Sequence, residues 1–306
     1  MPQNNKWKAY IAITLSIIFW GVSLVWTKNL LYYNFNVFVI VTLRVAIAFL
    51  VLFSIALFTN NLEKVARKDY KLFFLSTLFQ PFLYFICENY GLKYVDASYV
   101  ALFDAIIPIC VPFGLYFFYR ERLKKNVLIG VAISITGILF ISLNQHSSQP
   151  TNMFGVFLMI MVLLTASGYN IVLYKMLYYK PITIVMYQNL LATFMYLPLL
   201  ILVKKEEYSS MIWNFTSISS ILMLAILCSA LACLFYSYSA KKIKISRTNV
   251  FTNAIPLVTM TFACMMGQES MTTTKIIGMV IVISGVAFSQ MIEKRNKKSA
   301  TNKNLR

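Results

Sequence analysis

The 306-residue sequence predicts an all-α membrane protein of ten transmembrane helices, arranged as two inverted five-helix repeats. Three observations predict it. The composition is too apolar for a soluble chain. Ten apolar runs are each long enough to cross a bilayer. The sequence also matches itself at a shift of 148 residues, with charge exchanged between the paired loops.

Apolar residues make up 59% of the chain and charged residues 12%, with a mean hydropathy of +0.70. A soluble domain is about 45–50% apolar and about 25% charged. A 306-residue globule has too little interior to hide this much apolar surface, so lipid must be the solvent for most of the chain. That excludes a soluble enzyme, a disordered tail protein and a free nucleic-acid binder, although a net charge of +18 would by itself suggest an acidic partner. Cys87, Cys110, Cys228, Cys233 and Cys264 all sit in apolar runs without a C-x-x-C, and read as small packing residues rather than disulfide or zinc ligands. The single histidine, His146, lies in a loop. Its isolation excludes H-E-x-x-H and Ser–His chemistry.

A helix needs about 20 apolar residues to cross about 30 Å of hydrocarbon. The runs that qualify are 9–31, 35–58, 72–93, 95–119, 127–144, 153–176, 182–203, 218–240, 246–268 and 275–292. The first follows Lys6 and Lys8 as a signal peptide's apolar stretch would. It is longer than the about 7–15 residues of such a stretch and no small-x-small site follows, so it reads as an uncleaved span. With ten spans both termini share a side. That side collects 22 of the 28 basic residues, including Lys64, Arg67, Arg120, Arg122, Lys241, Lys242 and the 293–306 tail. The other side has five: Lys28, Lys93, Lys204, Lys205 and Lys275, and Arg44 lies within the second span. Cytoplasmic loops carry the basic excess. Both termini are therefore expected in the cytoplasm, with the 293–306 tail a basic cytoplasmic end.

The self-match justifies the repeat. Residues 90–140 fall on 238–288 without a gap, with 13 identities in 51 positions. Tyr90 meets Tyr238, Ser98 meets Ser246, Pro108 meets Pro256, Glu121 meets Glu269, Gly130 meets Gly278 and Gly137 meets Gly285. The units are 9–145 and 151–292. Five helices is an odd number, so the second copy enters the membrane from the opposite side. The basic RERLKK at 120–125 becomes QESMTT at 268–273, whereas the cluster Lys241, Lys242, Lys244 has a single Lys in its partner at 93–96. Inverted repeats are the architecture of alternating access to a midplane site.

Trp20-Gly21 in the first run, Arg44 in the second, ENYGLKYVDAS ending the third and the Pro108 helix followed by Glu121, Gly130 and Gly137 resemble the drug/metabolite transporter superfamily, specifically its EamA-type members, across residues 9–292. The resemblance implies a small-metabolite transporter of the inner membrane and leaves the substrate open. The second copy departs from the first: Gln188 or Asn189 stands near the place of Arg44, which implies an asymmetric polar site.

An ionisable group deep in a bilayer costs about 2.5–3.5 kcal/mol, so it has a partner or a function. Arg44 and Asp104 lie at equal depth, about nine residues from the outer ends of their spans, where they are placed to pair. Glu88 lies nearer the outer interface. The functional reading is a cavity that binds a charged substrate or a proton. The alternative is a structural ion pair, with Glu88 reaching water. Polar stripes run along Ser16, Trp20, Ser23 and Thr27, along Gln80, Tyr84 and Glu88, and along Ser167, Asn170 and Tyr174. They point either to a pocket or to helix packing, and Trp20 is placed to stack on a planar substrate. Asn253 falls one residue beyond the repeat match of Asp104. Pro108, Pro112 and Pro256 are candidate hinges, or simple kinks. Glu121 and Glu269 read as turn or capping residues, and Trp7 and Trp213 as interfacial anchors.

Together these observations lead to a non-enzymatic secondary transporter, expected to be an exporter, of a small polar or amphipathic metabolite such as an amino acid. Its partners would be the bilayer, the substrate and protons, with no nucleic acid, no cofactor and no metal, as a monomer or homodimer. The alternatives are an S-adenosylmethionine or nucleotide-type exchanger and a non-transporting scaffold. No G-x-x-x-x-G-K-[ST] is present to hold ATP.

Overall fold

The computed structural model describes residues 4–61, 63–119, 125–143, 152–243, 245–285 and 287–288. Glu121, the basic run at 120–124, His146 and the tail at 293–306 lie outside them, as does the Pro112 side chain. Among the described residues the chain is helical and contains no strand. Ten helical segments follow one another among these residues, six of them long and apolar enough to cross a bilayer by themselves: α1 Asn4–Tyr32, α2 Val37–Phe58, α3 Arg67–Gly91, α4 Ala97–Tyr119, α5 Lys125–Leu143, α6 Met153–Met176, α7 Pro181–Leu202, α8 Phe215–Ile243, α9 over 245–265 and α10 Thr273–Gly285. Boundaries move by a few residues from the sequence reading because capping residues, not hydropathy, stop the helices. Asn36 and Asn152 accept the amide of the residue two on, and Asn214 with Ser217 forms a reciprocal capping box.

The helix ends gather on two faces. Near the start of α1, Glu63 before α3 accepts from Thr183 Oγ1 at the start of α7. There too Tyr179 donates to Asp69, and Lys241 reaches the Tyr179 carbonyl. On the far face, Lys28 at the end of α1 meets Asp96 between α3 and α4, and Lys275 of α10 meets the same Asp96. The chain therefore alternates between faces, as ten passes require. Between the faces the outward surface is apolar: Leu50 and Leu57 on α2, Leu164 on α6, and Phe194 and Ile201 on α7 are all exposed. Such a surface is stable against lipid and not against water. Trp7 and Trp213 stand exposed at opposite ends of the bundle.

Packing between the two halves repeats itself. α1 lies against α8 and α9, as α6 lies against α3 and α4; α2 lies against α7, and α4 against α9. The crossing of α5 and α10 shows the two-fold relation at atomic scale. A Cβ added to Gly137 would stand 2.9 Å from the Gly278 carbonyl, and one added to Gly285 would stand 2.8 Å from the Gly130 carbonyl. Each contact is the other shifted by 148 residues, with the two partners exchanged. Lipid supplies no hydrophobic force between helices, so close backbone approach through glycine is what holds such a crossing.

Candidate functional site

The third helix of each half is distorted in the same place. α3 opens into a π turn at Leu78–Leu83, with Gln80 in an extended conformation (φ −147°, ψ 123°). α8 does so at Leu224–Ala232. Pro81 removes a helical donor, and a π turn leaves carbonyls short of their usual partners. Those carbonyls are met from neighbouring helices. Tyr196 Oη lies 2.9 Å from the Pro81 oxygen and 2.8 Å from that of Phe82. Ser16 donates to Ala232 O at 2.8 Å, and Trp20 Nε1 donates to Cys228 O at 3.2 Å. The distorted stretches bring Gln80 and Ser229 to the centre of the bundle.

A cavity with about 590 Å³ of empty space, counting its mouth, lies there between the two halves. A second lobe of about 380 Å³ shares Trp20, Gln80, Phe85, Tyr169 and Tyr236 with it. The first half supplies an acidic wall. Tyr84, Glu88 and Asp104 are buried there, and Tyr84 Oη donates to Asp104 Oδ1 at 3.0 Å. Glu88 Oε2 has no partner. Arg44 is 1% exposed; its Nε donates to Ser229 Oγ at 2.5 Å and its guanidinium lies 4.0 Å above the Phe85 ring. Arg44 Nη1 is left unpaired.

The second half supplies a neutral wall. Tyr236 Oη lies 2.6 Å from Asn170 Oδ1 and also meets Asn249 Oδ1. Asn170 Nδ2 donates to the Ala166 carbonyl at 2.8 Å. The Trp20 ring rests against Tyr236, with centroids 5.2 Å apart, so the indole has both a hydrogen-bond and a ring partner within the protein. Thr252 completes this wall. With Glu88, Asp104 and Arg44 all ionised the cavity carries a net charge of −1.

Of the residues singled out in the sequence, Trp20, Arg44, Tyr84, Glu88, Asp104 and Asn170 line the larger lobe, and Gln188 and Asn189 the smaller. Gln188 Nε2 donates to Ser76 Oγ, and Asn189 Nδ2 to the Val185 carbonyl. Three readings need correction. No Arg44–Asp104 ion pair forms; equal depth is not equal azimuth, and Arg44 turns to Ser229 and Phe85 while Asp104 faces Tyr84. Asn253 is not in the lining, whereas Asn249 and Thr252 are; a slip of one residue turns a helical side chain by about 100°. Tyr174 is 65% exposed, nearer the end of α6 than the cavity.

The candidate hinge prolines stand in two kinds of place. α4 runs unbroken through Pro108 and Pro112. Pro256 stands in the first turn of Ile255–Met265, where its missing N–H is harmless. Among the described residues the helical pattern also changes at Gln80-Pro81 and in the 3-10 turn Thr252–Ala254.

Tyr169, Phe85, Ser229, Tyr236, Asn249 and Thr252 escaped the sequence reading. The repeat register held the signal for two of them. Extended two residues past Tyr90 it pairs Glu88 with Tyr236, and read at Asp104 without slippage it arrives at Thr252.

The sequence profile of the EamA-like transporter family matches residues 7–143 and again residues 153–291, so one copy supplies each wall. The chain belongs to the EamA-like transporter family. It is a multi-pass membrane protein, and the family, like the relatives, points to a transporter rather than an enzyme. The chain is similar to an uncharacterized transporter of Archaeoglobus fulgidus, at 25% identity over 280 residues, covering 91% of this chain and 97% of that one. It is also similar to the uncharacterized transporter YetK of Bacillus subtilis, at 23% identity over 296 residues and 94% and 88% coverage. A solved crystal structure shares the fold with a TM-score of 0.69 at 14% identity, covering 96% of this chain and 98% of that one.

Proposed function

We propose that this EamA-family chain is a secondary transporter that exports a small polar or amphipathic metabolite across the inner membrane by alternating access, with both termini in the cytoplasm. One observation carries the reading: a cavity lined by Arg44, Glu88 and Asp104 lies at the seam between two inverted copies, where a rocking motion of one copy against the other exposes it to either face in turn. The copies 9–145 and 151–292 are the moving units. Arg44, Glu88 and Asp104 are the charged contacts, and Trp20, Tyr84, Asn170, Gln188 and Asn189 shape the pocket.

Two carboxylates against one guanidinium leave an excess negative charge that is costly to keep in low dielectric. A proton or a cationic group on the substrate relieves it. We therefore propose that transport is coupled to protons through Asp104 or Glu88.

The test is a metabolite panel scored by thermal stabilisation of the purified protein, followed by flux of each hit in proteoliposomes with and without a pH gradient. A hit whose flux responds to the gradient supports both proposals. Flux indifferent to the gradient but dependent on a counter-substrate replaces proton coupling with exchange. No stabilisation and no flux across the panel would sink the transport reading.

A further inference from the structure

All four ion pairs among the described residues belong to one cluster. Lys28 lies 3.1 Å from Asp96 and 3.8 Å from Glu269; Lys275 lies 2.9 Å from each of the same two carboxylates. Lys28 and Asp96 belong to the first half, Glu269 and Lys275 to the second, so the cluster ties the halves together across the face opposite the start of α1. On the other face the halves are also joined by hydrogen bonds from uncharged hydroxyls to single carboxylates, Tyr179 to Asp69 and Thr183 to Glu63.

Glu269 does more than pair. Its side chain is 2% exposed, and it accepts from the Ser98 amide at 3.1 Å and the Ser98 hydroxyl at 2.5 Å. It therefore caps the first turn of α4 from the other half of the molecule, where a helix start has free amides and a positive dipole end. Asp104 lies six residues further along α4, about 9 Å at 1.5 Å per residue. Beneath the cluster a crevice of about 250 Å³ runs between α4, α9 and α10, past Leu102, Pro256 and Met260. The same α4–α9 seam continues to Asp104 and Ile255 in the cavity wall.

We propose that these four charges are the latch of the outer gate. Glu269 is its positioning residue, holding shut the helix that carries Asp104. The inference rests on the alternating-access reading. A latch of charges suits a gate that must open, because lysines and carboxylates released into water are rehydrated, and partly exposed pairs have modest net strength. Asp96 and Lys28 keep side-chain exposures of 28% and 25%, so water already reaches the latch.

The experiment reads access to the cavity without needing a substrate. A charged, membrane-impermeant methanethiosulfonate is added to the outer face of intact cells, and modification of the native Cys233, which lines the smaller lobe, is followed by peptide mass. Lys275→Gln and Glu269→Gln should each speed modification at least about fivefold. The Ser98→Cys/Glu269→Cys pair, oxidised to a disulfide, should slow it below the unsubstituted rate and recover on reduction. The disulfide arm keeps the test alive where a charge variant fails to fold. Equal rates in the unsubstituted chain, the charge variants and the oxidised pair would overturn the latch. Altered labelling with no flux for any compound would leave the latch standing and reject the transport reading.

Discussion

Glu88 and Asp104 on one wall of the cavity have Tyr236 and Thr252 as their counterparts 148 residues on. All four line the same cavity. The scaffold beneath them is matched closely: π turns at equivalent places in α3 and α8, and reciprocal glycine contacts between α5 and α10. The side chains are not matched. One wall carries two carboxyl groups and the other only hydroxyls and amides. The close glycine crossings leave no room for a larger side chain, whereas positions facing the cavity have space beside them and are freer to differ. The two walls meet through Trp20, whose ring rests on Tyr236 of the opposite half.

Breaking the shared scaffold should have the largest effect. Gly137→Leu and Gly285→Leu each drive a side chain into a facing backbone carbonyl closer than 3 Å. Each should cost about 3 kcal/mol or more, and by the two-fold relation the losses should be alike. Thermal unfolding in detergent measures both. Next, Asp104→Asn and Glu88→Gln remove charge from one wall only. Transport should fall at least about tenfold, about 1.4 kcal/mol, and its pH dependence should flatten. A flux–pH profile that keeps its unsubstituted shape would show that neither group carries the proton.

On the neutral wall, Tyr236→Phe leaves the Asn170 and Asn249 oxygens without their hydroxyl partner. A loss of about 1–2 kcal/mol in stability is expected, with the pH profile of transport unmoved. That contrast sharpens the difference between the walls, and a shifted profile would erase it. The smallest effect is expected at the latch. Burial pushes the Asp96 carboxyl up, but Lys28 and Lys275 outweigh it and hold the group below its usual range. A carboxyl lower in the folded than in the unfolded chain contributes stability above about pH 4 and loses it as the pH falls through the folded value. The unsubstituted chain should therefore melt above Asp96→Asn at pH 7, by about 1 kcal/mol, and the gap should close in acid.

The polar stripe at Gln80, Tyr84 and Glu88 was legible as one face of a helix, and all three reach the cavity, although a π turn intervenes. Asn253 was misplaced because a single residue of slip in the repeat rotates a side chain off the wall. Ser229 and Phe85 had no signal of their own. Their roles exist only because Arg44 meets them from another helix.

What the sequence determined by itself was the solvent and the topology. Apolar length shows that lipid surrounds the helices, and the charge exchange between copies shows that the second is inverted, because both are properties of single segments. Only the tertiary structure decided the partners: Arg44 with Ser229 and Phe85 rather than Asp104, Tyr236 with the two asparagines, Glu269 on the first turn of α4. Those choices depend on the azimuth of each side chain about its helix and on which helix faces it. Hydropathy reports depth in the bilayer and is silent about azimuth.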